Sequence, residues 1–169
     1  MFEKYGEFDS WEELNKAAEG FAEEGDVESL RGLAEENGID PENADDMMED
    51  GGPFCTRLEA AMGRLAVEEG EIKRRPPMEQ ATKGVILEIV KGMCADREEM
   101  PSLIMHKGKR VSDIYEAMKS EAGKNRSGNQ PVCICGTDRD LQRLALVYYS
   151  GTEEAFKKAV EQQVRRGLV

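Results

Sequence analysis

Apolar side chains recur at helical spacing along most of this 169-residue chain. In the first such segment they return every three or four positions, which places them on one face of a helix; these residues are Trp11, Leu14, Ala17, Ala18, Phe21 and Ala22. Ser10 precedes this stripe and Glu13 follows three residues later, an arrangement typical of a capping box. Similar patterns predict further helices at residues 27–37, 42–50, 54–72, 78–94, 111–123, 138–150 and 152–164, with a one-turn helix or a loop at 101–105.

Strand signals are almost absent. Residues 132–135 favour an extended conformation, but one segment of this length cannot form a sheet of its own. The chain is therefore predicted to be all-α, a compact helical domain of about seven helices with little or no β structure.

The charge is distributed very unevenly. Residues 1–52 carry 18 acids and three cations, a net charge of −15, whereas residues 53–169 carry a net +3. This asymmetry divides the chain into an acidic helical N-terminal region, 1–52, and a helical core region, 53–169, which we expect to pack as one domain. The boundary at Gly51, Gly52 and Pro53 is either a hinge or an ordinary turn.

The acidic region has two interpretations. Acids at helix starts complement the helix dipole and keep a surface solvated. Acids near helix C-termini are disfavoured there, and this placement indicates a surface that recognises a basic partner. The candidate partner-binding residues are Glu23, Glu24, Glu35, Glu36, Asp45, Asp46, Glu49 and Asp50.

The basic residues give weaker evidence of a binding surface than the acidic residues do. They are scattered in sequence at Arg74, Arg75, Lys107, Lys109, Arg110, Arg165 and Arg166. A nucleic-acid-binding domain usually has a clustered basic stripe and a strongly positive charge, and a net +3 falls short of that. Cations at helix C-termini also have a structural explanation. We therefore expect no direct nucleic-acid binding.

The sequence shows no catalytic motif, and we predict neither an enzyme nor a bound cofactor. The spacing of Cys133 and Cys135 would form half of a zinc site, which Cys94 and His106 could complete, but reduced, partly buried thiols explain the cysteines more simply. A redox role is the remaining alternative. Asp138 and Asp140 could act as an acid and base pair, although a cap formed with Thr137 accounts for both.

No apolar run approaches the length of a membrane span, and the N-terminus lacks the features of a secretion signal. We expect a soluble protein in the cytoplasm of a bacterial host cell.

Two segments resemble known families. Residues 1–10 and 12–18, with their continuation at 24–26 and 34–40, are similar to small proteins from mobile elements of gut Clostridia, some of which are anti-CRISPR proteins. Residues 136–149 resemble the C-terminal pattern of PcfK-like accessory proteins of conjugative elements. Those chains often carry His before the Tyr-Tyr pair, and this chain has Val147 there.

The resemblance implies a protein that binds and inhibits a guide-loaded type II CRISPR nuclease. Such nucleases hold nucleic acid in a positively charged channel, which an acidic helical surface could enter by imitating phosphate charge. Blocking a conformational step through an apolar patch fits the sequence equally well. Two alternatives remain: an accessory protein of a conjugative element that binds a DNA-processing or coupling protein, and a helical interaction module whose acids serve only solubility.

Overall fold

The computed structural model describes residues 2–124 and 136–167. Its regular structure within these ranges consists of nine helices: α1 Trp11–Glu24, α2 Val27–Asn37, α3 Glu42–Asp50, α4 Arg57–Ile72, α5 Pro77–Asp96, α6 Met100–Ile104, α7 Val111–Lys124, α8 Asp138–Ser150 and α9 Glu153–Gly167.

The predicted all-α class is confirmed, since the described residues contain no strand. The number of helices exceeds the predicted seven or so, and α6 is an example of a segment that the sequence left open between helix and loop. The segment at 132–135 that favoured an extended conformation lies outside the described residues.

The chain divides into two compact units, each built from two pieces of sequence. Unit 1 comprises Met1–Glu71 and Cys94–Gly108, and unit 2 comprises Ile72–Met93 and Lys109–Val169. The division therefore falls at other residues than the change in charge at 52/53.

Unit 1 is organised around the three acidic helices. Helix α2 packs against both α1 and α3, and the core that they enclose is made of buried apolar side chains such as Leu14, Leu30, Leu33, Met47 and Phe54. Burial of this apolar surface is the main force that holds α1–α3 together, because their exposed faces are almost entirely polar.

Two buried polar contacts fix the rest of unit 1. The Asn15 side chain donates to the Cys55 carbonyl oxygen at 3.0 Å and accepts from the Cys55 amide at 3.2 Å, which ties α1 to the segment before α4. Helix α4 approaches the turn after α2 so closely that Gly63 lies against the backbone of Asn37 and Gly38.

In unit 2, α9 packs against both α7 and α8. The buried side chains of these helices include Ile114, Met118, Leu144, Tyr149 and Val160. Lys109 lies just before α7, and its ammonium group donates to the carbonyl oxygens of Tyr148 and Tyr149 at 3.0 and 2.6 Å. This lysine thus satisfies carbonyl groups at the end of α8 that the helix itself leaves without a partner.

The helix ends follow the predicted cap chemistry with one difference. The Ser10 hydroxyl accepts from the Glu13 amide, but the Glu13 carboxylate accepts from the amide of Asp9 rather than from that of Ser10. At the start of α8 both halves of a capping box are present, between Thr137 and Asp140. Helices α1, α2 and α3 end at glycines with φ near +70°, a conformation that glycine adopts without strain.

Candidate protein-binding surface

The charge asymmetry is sharper in the structure than along the sequence. Unit 1 contains 25 acids and seven cations, a net charge of −18, and unit 2 contains 10 acids and 16 cations, a net charge of +6. The acidic character of the chain is therefore a property of one compact unit, and all eight candidate partner-binding acids belong to it.

Helix geometry separates these acids into two groups. Glu23 and Glu24 lie at the end of α1, beside the turn that leads into α2, whereas Glu35 and Glu36 lie near the other end of α2. An 11-residue helix is about 16 Å long, so the two pairs are well apart.

Helix α3 returns along α2. The Arg31 guanidinium of α2 contacts the Asp45 carboxylate of α3 at 2.6 Å, and four residues connect the two helices. Asp45 lies in the first turn of α3 and Arg31 near the middle of α2, so this ion pair joins the two helices side by side.

Two of the eight acids already have intramolecular partners. The Glu36 carboxylate accepts hydrogen bonds from the backbone amides of Lys4 and Tyr5 at 2.9 Å and from that of Gly6 at 3.3 Å, so it anchors the N-terminal segment to α2. Asp45 forms the ion pair with Arg31. The structure also corrects the expectation that Asp45 lies late in its helix, because it belongs to the first turn of α3, where a carboxylate is favoured.

The remaining six candidate acids stay exposed: Glu23, Glu24, Glu35, Asp46, Glu49 and Asp50. The last turns of α1, α2 and α3 contain no basic residue. Negative side chains there meet the partial negative charge of free helix carbonyl groups without local compensation.

Unit 1 also exposes apolar side chains. On α4, Leu58 and Met62 are four residues apart and are 45% and 36% exposed, and Met48 of α3 is 37% exposed. Side chains at this spacing share one helix face, which Ala66 and Gly70 continue. Apolar groups of this kind supply binding energy at the centre of an interface, whereas charges mainly steer and orient the partners.

The chemistry expected of the cysteines is constrained by burial. Burial raises the pKa of the Cys55 thiol to about 12 and that of the Cys94 thiol to about 11, so neither is a thiolate near neutral pH. Among the described residues, no three His, Cys, Asp or Glu side chains converge as metal ligands. Cys133 and Cys135, the other half of the considered zinc site, lie outside the described residues.

The Asp138–Asp140 segment has a clear structural role. Hydrogen bonds from the Thr137 hydroxyl and amide lower the pKa of the Asp140 carboxyl group, with smaller contributions from the charges of Arg143 and Arg166. Asp140 therefore acts as an ionised helix cap, as the simpler of the two interpretations had it.

The basic segment at 107–110 does not act as one surface. The Lys107 amide donates to the Asp9 carboxylate at 2.8 Å and its ammonium group lies 3.4 Å from Glu13, whereas Lys109 points to the end of α8. Burial lowers the pKa of Lys109. These side chains hold helices in place rather than forming a patch for a partner.

Sequence reasoning missed the buried Arg64 of α4, which is 3% exposed. Its guanidinium pairs with the Glu7 carboxylate and donates to the carbonyl oxygens of Phe8, Met105 and His106. Lys83 of α5 is equally buried, with Glu116 at 2.8 Å and Glu79 at 3.5 Å. The only sequence feature that could have indicated the burial of Arg64 or Lys83 is a basic residue within an otherwise apolar helical stripe.

Comparison with known proteins adds no family to this description, since no family model, curated protein or solved structure matches the chain. Within the described residues, no helix is both long enough and apolar enough to cross a membrane.

Proposed function

We propose that this chain is a protein inhibitor that binds a guide-loaded type II CRISPR nuclease through the acidic surface of unit 1. The observation that carries the proposal is the net charge of −18 on one compact unit, with exposed acids at the C-terminal ends of three adjacent helices. The resemblance of residues 1–10, 12–18, 24–26 and 34–40 to a group that includes anti-CRISPR proteins supplies the class of partner.

The placement of the acids supports recognition over solubility alone. A soluble surface needs charges, but it does not need them where they oppose the helix dipole, and cations would be better placed there. Acids retained at an unfavourable place are consistent with a requirement from outside the fold. A channel lined with cations for holding nucleic acid would meet that requirement.

The proposed complex combines steering with an apolar anchor. The charge of unit 1 would accelerate association with a cationic channel and would make the rate fall as salt is added. Leu58 and Met62 would contribute apolar surface that is buried and loses its water on binding, and this burial lowers the dissociation rate.

The test is a pull-down of the purified chain with a guide-loaded type II nuclease, together with cleavage of a target DNA duplex at low and high salt. We expect a complex at low salt, reduced cleavage, and weaker inhibition as salt rises. Absence of a complex, with undiminished cleavage at a several-fold molar excess of the chain, would overturn the proposal.

A pair of variants locates the surface. Glu23→Gln with Glu24→Gln removes two charges from unit 1, and Glu153→Gln with Glu154→Gln removes two from unit 2. The first pair should weaken inhibition and reduce its salt dependence, and the second should leave both unchanged. Equal effects of the two pairs would show that only the total charge matters, which argues against a defined acidic surface.

A further inference from the structure

Four arginines gather at one end of the α8–α9 helix pair in unit 2. They are Arg139 and Arg143 of α8 and Arg165 and Arg166 of α9, and all four are exposed. We define them together as the arginine patch.

The packing of the two helices brings these residues together. Gly136, just before α8, lies against the side-chain amide of Gln163 in α9. Arg139 lies in the first turn of α8, just after Gly136, and Arg166 follows Gln163 by about one turn of α9. The charges of Arg143 and Arg166 both help to lower the pKa of the Asp140 carboxyl group, so one arginine from each helix lies within electrostatic range of this cap residue.

The four arginines differ in their partners from three lysines of α7 and α9. Lys119, Lys124 and Lys157, on α7 and α9, reach the carboxylates of Glu79, Glu121 and Glu153 at 3.1, 2.9 and 2.5 Å. Within the described part of the chain, none of the four arginines forms an ion pair. Their donors are therefore available to a partner, except for the electrostatic interaction with Asp140.

The helix dipole explains the positions of only two of the four arginines. Arg165 and Arg166 belong to the last turn of α9, where a cation is favoured by the helix dipole. Arg139 belongs to the first turn of α8, where a cation is disfavoured. Its position is the reverse of that of the acids on α1–α3, and it calls for an explanation outside the fold.

We propose that the arginine patch is a contact surface for the phosphate backbone of a nucleic acid. Arginine presents a planar fork of donors that matches two phosphate oxygens at once, and it loses less hydration than lysine on binding. The sequence argued against nucleic-acid binding because residues 53–169 carry only +3, but unit 2 carries +6, and four of its arginines without an ion pair lie on α8 and α9.

The proposal does not depend on the nuclease and is tested without it. A fluorescently labelled DNA duplex and a labelled single-stranded RNA are titrated with the full chain, with anisotropy as the readout, at about 50 mM and about 200 mM salt. We expect binding of either probe at the lower salt and weaker binding at the higher salt. No change in anisotropy with either probe at the lower salt would overturn the proposal.

The variants separate the patch from net charge. Arg143→Gln with Arg166→Gln removes two members of the patch, and Arg74→Gln with Arg75→Gln makes the same charge change elsewhere in unit 2. Each lost phosphate contact lowers the slope of log affinity against log salt by about 0.9, so the first pair should lower it by about 2 and reduce affinity at least about fivefold. Equal losses in both pairs would overturn the patch as the contact surface.

A second measurement excludes a different partner. The arginines could instead bind carboxylates on the acidic unit of a second copy of this chain. Sedimentation velocity at low salt detects such self-association. If the Arg143→Gln, Arg166→Gln variant abolishes a salt-sensitive oligomer and leaves nucleic-acid binding intact, the proposal is wrong. A monomeric wild-type chain whose nucleic-acid binding falls in that variant supports it.

Discussion

At the scale of single residues, Gly63 is constrained by its close approach to the turn after α2. A Cβ atom at residue 63 would overlap the backbone of Asn37 and Gly38, which cannot move as a side chain can. Gly70 lies two turns later on the same helix and has open space around it. The two glycines therefore differ in packing while sharing the helix-weakening effect of glycine.

We predict that Gly63→Ala destabilises the fold by about 1–3 kcal/mol, the usual cost of overpacking. Gly70→Ala should stabilise it by up to about 1 kcal/mol, because alanine is the better helix former and meets no obstacle. Urea unfolding followed by circular dichroism measures both. If both variants gain stability, α4 does not approach the turn as closely as described.

The buried thiols give a second prediction at this scale. In a Cys133→Ser, Cys135→Ser background, native Cys55 and Cys94 should resist alkylation at mildly alkaline pH, because burial raises their pKa to about 12 and about 11. Concentrated guanidinium should make both thiols react, and mass spectrometry counts the alkylated sites. Rapid alkylation of the native protein would contradict the burial of these residues.

At the scale of elements, variants of α3 test whether the acids in its last turn lower the stability of the fold. Glu49 and Asp50 occupy its last turn, which contains no basic residue. Replacing both by lysine should stabilise the protein by about 1 kcal/mol, since each charge changes from opposing to complementing the dipole. The same variant should bind the proposed partner less tightly, so stability and binding change in opposite directions.

The control for this prediction is on the same helix. Glu42 lies in the first turn of α3, where a carboxylate is favoured, so Glu42→Lys should lower the free energy of unfolding by about 0.3–1 kcal/mol. Urea midpoints of the variants decide the matter. A loss of stability in Glu49→Lys, Asp50→Lys would mean that these acids serve the fold, and the argument for an external partner would lose its basis.

Helix α4 supplies the other element-scale prediction. Leu58→Gln with Met62→Gln should weaken inhibition of the nuclease while changing stability by less than about 1 kcal/mol, because both side chains are already partly solvated. Met78→Gln with Val85→Gln replaces two exposed apolar groups of unit 2 and should leave inhibition unchanged. Cleavage assays with titrated inhibitor compare the two pairs, and equal inhibition by both would exclude α4 from the interface.

For the whole molecule, the sequence predicted what depends on local pattern. The helical stripes and the Ser10 and Thr137 caps are encoded within a few residues, and the structure contains them. The main long-range contacts of Glu36, Arg64 and Asn15 join residues that are 30 to 57 positions apart in the sequence. No local pattern specifies such pairs. The division into two units could not be predicted from local pattern either, because each unit joins two separate stretches of sequence.

The candidate site shows the same limit. Composition identified the acidic region, but composition cannot tell which acids already have partners. Glu36 and Asp45 were assigned to a partner surface, and both are engaged within the chain. The arginine patch was missed because its members lie on two helices whose packing brings their ends together.

The charge separation leads to a last prediction, in which salt acts in opposite directions on folding and on binding. Unit 1 confines a net charge of −18, so the repulsion among its carboxylates opposes the compact state. Added sodium chloride screens this repulsion over a Debye length that falls from about 30 Å at 0.01 M to about 3 Å at 1 M. The melting temperature should therefore rise with sodium chloride over this range, whereas inhibition of the nuclease should weaken.

In calorimetry, the Glu49→Lys, Asp50→Lys variant should show a smaller rise, because it carries four fewer units of net negative charge. A melting temperature that falls with salt would mean that attractive ion pairs outweigh repulsion in this unit, and that its acids are compensated within the fold.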